Sequence, residues 1–579
     1  MSKLNVDQKN IKSLFADSKS DFLIPDYQRP YAWEEKECQT LWDDIFTFTI
    51  PDNDATKFNK DEEYYLGPIV TFINDENKRE VIDGQQRLTT LLLLLRAFYD
   101  RFAFMQDEQS KSTRESIEKC IWKTDEFGKP DKNALKIDSE VATDGDKEEF
   151  LSILKTGQAD KTKKSRYAEN YRFFQSKIDE FLTKFAPYFA YLPIRILNNC
   201  ILLPIEAESQ DTALRIFSTL NDRGKPLSDA DIFKAQFYKY YSKKGEKDEF
   251  IKQWKALEEV CDRIFNPITG TPMDELFTRY MYFERAKMGI KSTTTEALRK
   301  FYEKDGYKLL NNDITLGNLI ELADFWNAVA NQDEERFSYK ILRRLYVLNY
   351  APNGMWNYFV SVYFMQNKDN EGKLDEEAFY EFLEKITAFI WTYAVVNPGV
   401  NALRTPVFAE MVNIVEGKTV EFIDFRFDKE KVRIVFDNYV FTNGRPITKS
   451  MLTWWAFNDD NQKLLSLNTT FEIEHIYARN RYDKEKTLSD AKLLESLGNK
   501  ALLEKSINIR AADYRFVDKK KYYNGYTNAR NEIKNGTDIE ELVNLAVAKT
   551  DYTESDIISR TDDMLTAFIQ YLGANKLTQ

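Results

Sequence analysis

"YYLGPIVTFINDENKREVIDGQQRLTTLLLLLRAFYDRF", residues 64–102, decides how the first part of the chain folds. "YYLGPIVTFI" (64–73) and "KREVIDG" (78–84) read as two strands, with Asn74-Asp75-Glu76-Asn77 between them as a hairpin turn. From Asp83-Gly84 the chain runs straight into a helix, "QQRLTTLLLLLRAFYDRF" (85–102). Its run "LLLLL" (91–95), bracketed by Arg87 and Arg96, is too short to cross a bilayer and reads as a buried helix.

Upstream, "FLIPDYQRPYAW" (22–33) is a strand entering a proline-bounded turn, followed by a helix over 34–48. Downstream, 104–165 is dense in charge, with "GKPDKN" turning a small hairpin, and reads as a solvated insertion. A helix over about 166–186 leads to a buried strand, "CILLPIEAES" (200–209). "DTALRIFSTLN" (211–221) reads as a helix and "DRGKPLS" as a loop. The helix that follows has Ser228 as its N-cap, with Asp231 three residues on completing a capping box. From about 245 to 420 apolar residues recur at three and four, with many Tyr, Phe and Trp, which predicts an all-α region. Its aromatic stripes read as core, a minority being available to line a pocket for a modified base. Beyond 430 comes a mixed segment, and 529–570 reads as two helices.

The chain, at 579 residues, is too long for one core. The fold class is therefore α+β multidomain and mostly helical. Charged residues at 30% and hydrophobic ones at 43% are ordinary for a soluble globular protein. A net charge of −12 does not draw the chain to DNA through its overall field, so any nucleic-acid contact needs a local basic face. Cys38, Cys120, Cys200 and Cys261 are scattered, without C-x-x-C or zinc spacing, which suits a reducing cytosol. "MSKLNVDQKN" has no signal-peptide core, and no membrane association is expected.

The single histidine lies in "FEIEHIYARN" (471–480). "EIEHI" alternates polar and apolar and reads as a strand, with Glu472 and Glu474 on one face and His475 at its end. "LGNKALLEKSIN" offers a second strand over 500–506, flanked by Asn499 and Asn508, with a helix starting near Asn508. This spacing suits a ββα-metal nuclease. A hard Mg²⁺ takes oxygen ligands such as Glu474 and Asn508, and His475 is placed as the general base. The plainer alternative is a surface or core histidine without a role.

Around Gly84 the physics of an anion site is also present. Gly84 permits a sharp turn, the next helix offers its N-terminal N–H groups to a phosphate, and Arg87 can fork onto one. Asp83 can hold Mg²⁺ or a ribose hydroxyl, and Gln85 and Gln86 can orient phosphate or water. Tyr27, Gln28 and Arg29 come from the neighbouring turn, with Tyr27 placed to stack a base and Arg29 as a second cation. The alternative is a helix cap, a turn glycine and a surface ion pair. No Walker A loop occurs in the sequence.

"EIEHIYARN…LGNKALLEKSIN…F-x-x-K" resembles the C-terminal HNH nuclease domain of the GmrSD family of type IV restriction enzymes. It is also similar to the HNH domain of RNA-guided CRISPR nucleases. "IPDYQRPYAW", "VIDGQQRLTTL" and "STLNDRGKPLS" resemble the family's N-terminal domain, a ParB/sulfiredoxin-like fold associated with nucleotide binding. The resemblance implies Glu474 and Asn508 as metal ligands, His475 as general base and Asn499 as the asparagine bracing the loop. Glu472 is a second carboxylate, and Phe516 and Lys519 match the F-x-x-K. Asn221, Arg223 and Lys225, in a basic turn, and Lys520 and Lys521, in the cluster 517–534, are candidates to contact phosphate or DNA. Ala478-Arg479 departs from the family's usual Pro-Gln.

The domains expected are 1–240, ParB/sulfiredoxin-like, nucleotide-binding and DNA-sensing, with a charged insertion at 104–165; 241–429, a helical linker; and 430–579, the HNH nuclease. The resemblance implies an endonuclease of anti-phage defence in a prokaryotic cytoplasm. It would use Mg²⁺ or Mn²⁺, respond to a nucleoside triphosphate with NTPase activity, and act on modified DNA. A homo-oligomer is compatible with this. The alternatives are a ParB-like, nucleotide-responsive DNA-binding regulator without nuclease activity, and a toxin nuclease acting on unmodified DNA or RNA.

Overall fold

The structure is a computed structural model. It describes every residue except 1–4, 7, 18–19, 75, 142–143, 161, 163, 211, 214–215, 217–227 and 400–401. The chain divides into two compact units, 1–256 and 257–579.

The first unit is built on a mixed sheet. Its strands, in chain order, are β1 (Asn5–Val6), β2 (Lys9–Asn10), β3 (Phe22–Ile24), β4 (Tyr64–Ile73) and β5 (Arg79–Asp83). β6 (Trp122–Thr124) and β7 (Pro130–Leu135) form a separate hairpin, and β8 (Ile137–Ser139) and β9 (Cys200–Ala207) return to the main sheet. The spatial order is β1-β9-β4-β5-β3-β8, with β2 also on β9. β4 is parallel to β9 and antiparallel to β5, with Val70 opposite Ile205 and Thr71 opposite Val81. The strand–turn–strand–helix reading of 64–102 is thus the centre of the sheet.

The helix Gln85–Phe102 is apolar almost all round. Leu91 through Leu95 are all fully buried, which only a helix enclosed on every side permits. Part of that enclosure comes from 104–165, and here the expectation of a solvated insertion is corrected. The helix Glu108–Ile121 buries Ile117, Cys120 and Ile121, and the helix Lys147–Thr156 buries Phe150, Ile153 and Leu154 in the same core. β8 extends the main sheet by pairing in parallel with β3. The charges lie on the outer faces of amphipathic elements, so charge density alone misread a structural part of the unit. Arg96, itself buried, ties the helix to this segment by donating from Nε to the Leu154 carbonyl at 2.8 Å. The capping box at Ser228 and Asp231 forms as expected, opening the helix Asp229–Lys244. The segment 217–227 lies outside the described residues.

The second unit is helical from the start, in agreement with the periodicity. Its core is aromatic, with Phe389 stacked on Phe422 at 3.6 Å and Phe325 on Phe364 at 4.2 Å between ring centroids. Among these helices sits a small ribbon, β10 (Phe471–His475) antiparallel to β11 (Lys500–Glu504), with Glu474 opposite Ala501 and His475 opposite Lys500; a shorter one pairs Tyr526–Thr527 with Ile533–Lys534. The helix Lys505–Ala511 follows at once, so β11 is two residues shorter than expected and Asn508 lies inside the helix rather than at its start. The helix Phe516–Asn524 comes next. The helix Glu554–Ala574 packs on the turn before β11, where a Cβ on Gly498 would fall 2.1 Å from the Ile557 carbonyl oxygen. From that helix the buried Arg560 donates to the carbonyls of Leu497, Gly498 and Lys500 at 3.1, 3.0 and 2.8 Å. No helix among the described residues is long and apolar enough to cross a membrane.

Candidate active site

Alternation along β10 sends Glu472 and Glu474 to one face and His475 to the other. The structure sorts the expected residues accordingly. On the first face, Asn508 Nδ2 donates to Glu472 Oε2 at 2.7 Å. This pairing follows from register. Glu472 lies opposite Leu503, and the helix that starts at Lys505 carries its fourth residue back over β10. Both side chains are half-buried.

Glu474 goes elsewhere. It is buried, and its Oε1 receives Lys519 Nζ at 2.7 Å and Tyr523 Oη at 2.5 Å. Burial pushes its carboxyl above the usual range, against the opposing pull of Lys519. Lys519, 1% exposed, also donates to the main-chain carbonyl of His475 at 2.7 Å. Lys519 therefore fixes the end of β10. Asn508 bonds Glu472, and Glu474 is held by Lys519 and Tyr523, so the pairing of Glu474 with Asn508 is not made directly.

His475 faces a different group. Its Nε2 is buried without a hydrogen-bond partner among the described residues, 3.8 Å from Glu495 Oε1. Glu495 is held by Arg479 and, at 2.5 Å, by the fully buried Lys500. Burial, then the charges of Lys500 and Arg479, pushes the imidazole down to about 4. The ring is neutral at pH 7, so the approach to Glu495 is not an ion pair. What this arrangement offers chemically is an unprotonated nitrogen beside two cations.

Asn499 is fully buried and acts as a brace. Its Oδ1 accepts from Tyr477 N at 2.7 Å, and its Nδ2 donates to the Tyr477 and Leu494 carbonyls at 3.2 Å each. This shapes the loop leaving His475. Sequence reasoning missed Glu495, Lys500 and the bond from Tyr523 to Glu474. Tyr523 was open to detection, standing four residues after Lys519 on one helix face. Glu495 lies in a short 3₁₀ turn with no spacing signal. In the basic cluster, Lys520 donates to the Lys549 carbonyl at 2.7 Å, while Lys521 is exposed beside the Tyr522 ring.

The donor set on the Glu472 face is oxygen-rich, which matches a hard divalent cation in type. Among the described residues no three His, Cys, Asp or Glu side chains gather as a metal centre. An ion held here would keep few protein ligands and take the rest from water and phosphate, the usual habit of Mg²⁺.

In the first unit, the expected nucleotide motif is stitched to its neighbouring turn. Gly84, at φ 90°, caps the helix Gln85–Phe102 with no side-chain hydrogen bond to the first-turn amides. Gln85 Nε2 donates to the Arg29 carbonyl and Gln86 Nε2 to the Pro30 carbonyl, each at 3.2 Å. Ala32 N donates to Gln86 Oε1 at 2.6 Å, and Gln28 Nε2 reaches the carbonyls of Val81 and Ile82. These three glutamines are braces, which corrects the expectation that Gln85 and Gln86 orient a phosphate. Arg87 is buried, donating to the Pro68 carbonyl at 2.7 Å, and Gly67 makes room for it: a Cβ there would lie 2.8 Å from the guanidinium carbon. Tyr27 is buried against Tyr238, ring centroids 5.0 Å apart, with its hydroxyl on Glu80. It offers no open face for a base, a second correction. Asp83 and Arg29 remain half-exposed near the uncapped helix end. Asn221, Arg223 and Lys225 lie outside the described residues.

Residues 11–238 match the family model described as GmrSD restriction endonuclease, N-terminal domain, and residues 430–567 match GmrSD restriction endonucleases, C-terminal domain. No curated protein matches the chain.

Proposed function

Because the chain belongs to the GmrSD restriction endonuclease family, we propose that it is a divalent-metal-dependent DNA endonuclease of HNH type, cutting at the β10–β11 ribbon. The observation that carries this reading is the buried, unbonded Nε2 of His475, kept neutral beside Lys500 and Arg479. An unprotonated nitrogen so placed has its lone pair free to take a proton from water, and an anionic phosphate beside it would raise its basicity. Arg479, more than half exposed, stands next to it as a cation for the scissile phosphate. Glu472 and Asn508 would hold the Mg²⁺ or Mn²⁺ on the face of β10 opposite His475, so the scissile phosphate would have to span the end of the strand to meet both. Bound there, such an ion supplies charge stabilisation at phosphate and leaving oxygen. Lys519 holds Glu474 and the His475 carbonyl in register, and Asn499 holds the loop beyond.

The first unit is proposed to bind a nucleoside triphosphate at the helix end after Gly84, with Asp83 and Arg29 at its rim, and to gate cleavage. Arg87 and the three glutamines hold that turn in shape. Modified DNA as target and a prokaryotic cytoplasm as setting complete the reading.

The test is cleavage of unmodified and modified plasmid with Mg²⁺ or Mn²⁺, with and without NTP. Wild type cuts and His475→Ala does not. If wild type leaves every substrate intact, the nuclease reading fails and a nucleotide-responsive DNA-binding regulator takes its place.

A further inference from the structure

The second unit also contains a cavity of about 700 Å³. That volume suits a small organic ligand. Its lining includes Phe265, Arg279, Trp326, Trp356, Asn357 and Asn468. The helices Pro272–Lys287, Asp313–Ala330 and Met355–Asn367 supply Arg279, Trp326 and the pair Trp356 and Asn357.

Arg279 is the informative residue. It is 6% exposed, with its guanidinium 4.2 Å from the Trp326 ring centroid and 4.5 Å from that of Phe265. Nε donates to Glu275 Oε1 at 2.9 Å, but Nη1 is buried and meets no acceptor among the described residues. A buried guanidinium N–H without an acceptor is costly, and natural structures rarely leave one. Trp326 donates its indole N–H to Ser361 at 2.9 Å and packs edge-on to Trp356 at 5.6 Å; an indole N–H is itself a donor, so neither indole supplies an acceptor for Arg279 Nη1. Ile268, fully exposed, belongs to the same lining. Aromatic faces, side-chain amides at the rim and one unsatisfied guanidinium donor make up the chemistry that recognises a heterocyclic base: stacking, edge hydrogen bonds, and Arg to a ring nitrogen or carbonyl oxygen.

We propose that this cavity is a binding site for a nucleobase, lined by residues other than those of the cleavage ribbon and of the Gly84 helix end. The base can come from a free nucleotide or from a DNA nucleotide turned out of its stack. In the second case the inference rests on the nuclease reading above. In either case an acceptor on the base edge satisfies Arg279 Nη1, and the ring lies among the aromatic side chains.

The test uses the full chain without divalent metal, with adenosine, guanosine, cytidine and thymidine as probes, because nucleosides carry no phosphate to engage the first unit. Binding is followed by saturation-transfer NMR and equilibrium dialysis. At least one nucleoside is expected to bind saturably. Asn468→Trp, at the exposed rim, and the charge-balanced double change Glu275→Gln with Arg279→Met are each expected to weaken it at least tenfold. Thermal unfolding of N468W should match wild type, so that variant remains decisive if the double change fails to fold. No binding of any nucleoside, or undiminished binding in N468W, overturns the proposal. Displacement of the nucleoside by a single-stranded oligonucleotide assigns the base to DNA, and displacement by nucleoside triphosphate assigns it to free nucleotide. Displacement by neither overturns the assignment. A chain that binds nucleosides but cuts no DNA keeps this site and loses the nuclease reading; the reverse result loses only this site.

Discussion

Lys519 Nζ lies 2.7 Å from Glu474 Oε1 at a point where both side chains are almost fully enclosed. Removing one member of such a pair strands the other. Lys519→Met is expected to cost about 3–5 kcal/mol, measured as a drop in the thermal unfolding of the second unit. Adding Glu474→Gln should return much of that loss, since no bare carboxylate is then left inside. Both variants should be inactive in cleavage, because the end of β10 is no longer fixed.

The single histidine makes its titration directly readable by proton NMR. In metal-free protein the imidazole should titrate at about 4, well below the ordinary value near 6.5. Its folded pKa is depressed, so the fold favours the neutral ring. That contribution is complete above the unfolded value and is lost as pH falls through about 4. Glu495→Gln removes a neighbour that raises the value and should move the titration lower still. A midpoint near 6.5 would contradict the enclosed, cation-flanked position.

Gly498→Ala places a methyl group against the Ile557 carbonyl and the Thr561 side chain. The first obstacle is backbone and cannot swing aside. A loss of about 1–3 kcal/mol is expected from overpacking, together with reduced cleavage, because the turn before β11 must shift. Calorimetry alongside the plasmid assay checks both.

Arg87→Ala leaves the Pro68 carbonyl without its donor in a buried place. A destabilisation of about 1–3 kcal/mol follows, along with weaker nucleoside triphosphate binding measured well below the unfolding temperature. Stability loss with unchanged nucleotide affinity would place the nucleotide elsewhere.

Chelation with EDTA is expected to abolish cleavage and added Mn²⁺ or Mg²⁺ to restore it. Glu472→Gln should raise the metal concentration for half-maximal cleavage at least tenfold. An unchanged requirement would remove Glu472 from the ion's shell.

Much of the backbone plan was legible because it depends on local rules. The strands 64–73 and 79–83, the helix from Gln85, the Ser228 capping box and the helical middle follow from period, turn chemistry and caps. The segment 104–165 was misjudged because amphipathic helices and a short added strand hide few apolar residues among many charges. At the candidate site, sequence spacing brought Glu472, Glu474, His475, Asn499 and Asn508 to one ribbon. It did not reveal that Glu474 would be taken by Lys519 and Tyr523, because that depends on how the helix Phe516–Asn524 packs back on β10. The glutamines after Gly84 were misread for a related reason. Their partners are backbone carbonyls in a turn more than fifty residues earlier, which carry no side-chain signature.

Arg560 spreads one guanidinium over the carbonyls of Leu497, Gly498 and Lys500. The residues recognised as a nuclease motif all precede it, yet the loop that presents them is pinned from this late helix. A shortened variant stopping before residue 554 would retain every motif residue and still lose its cutting edge, much as an arch falls when its keystone is drawn.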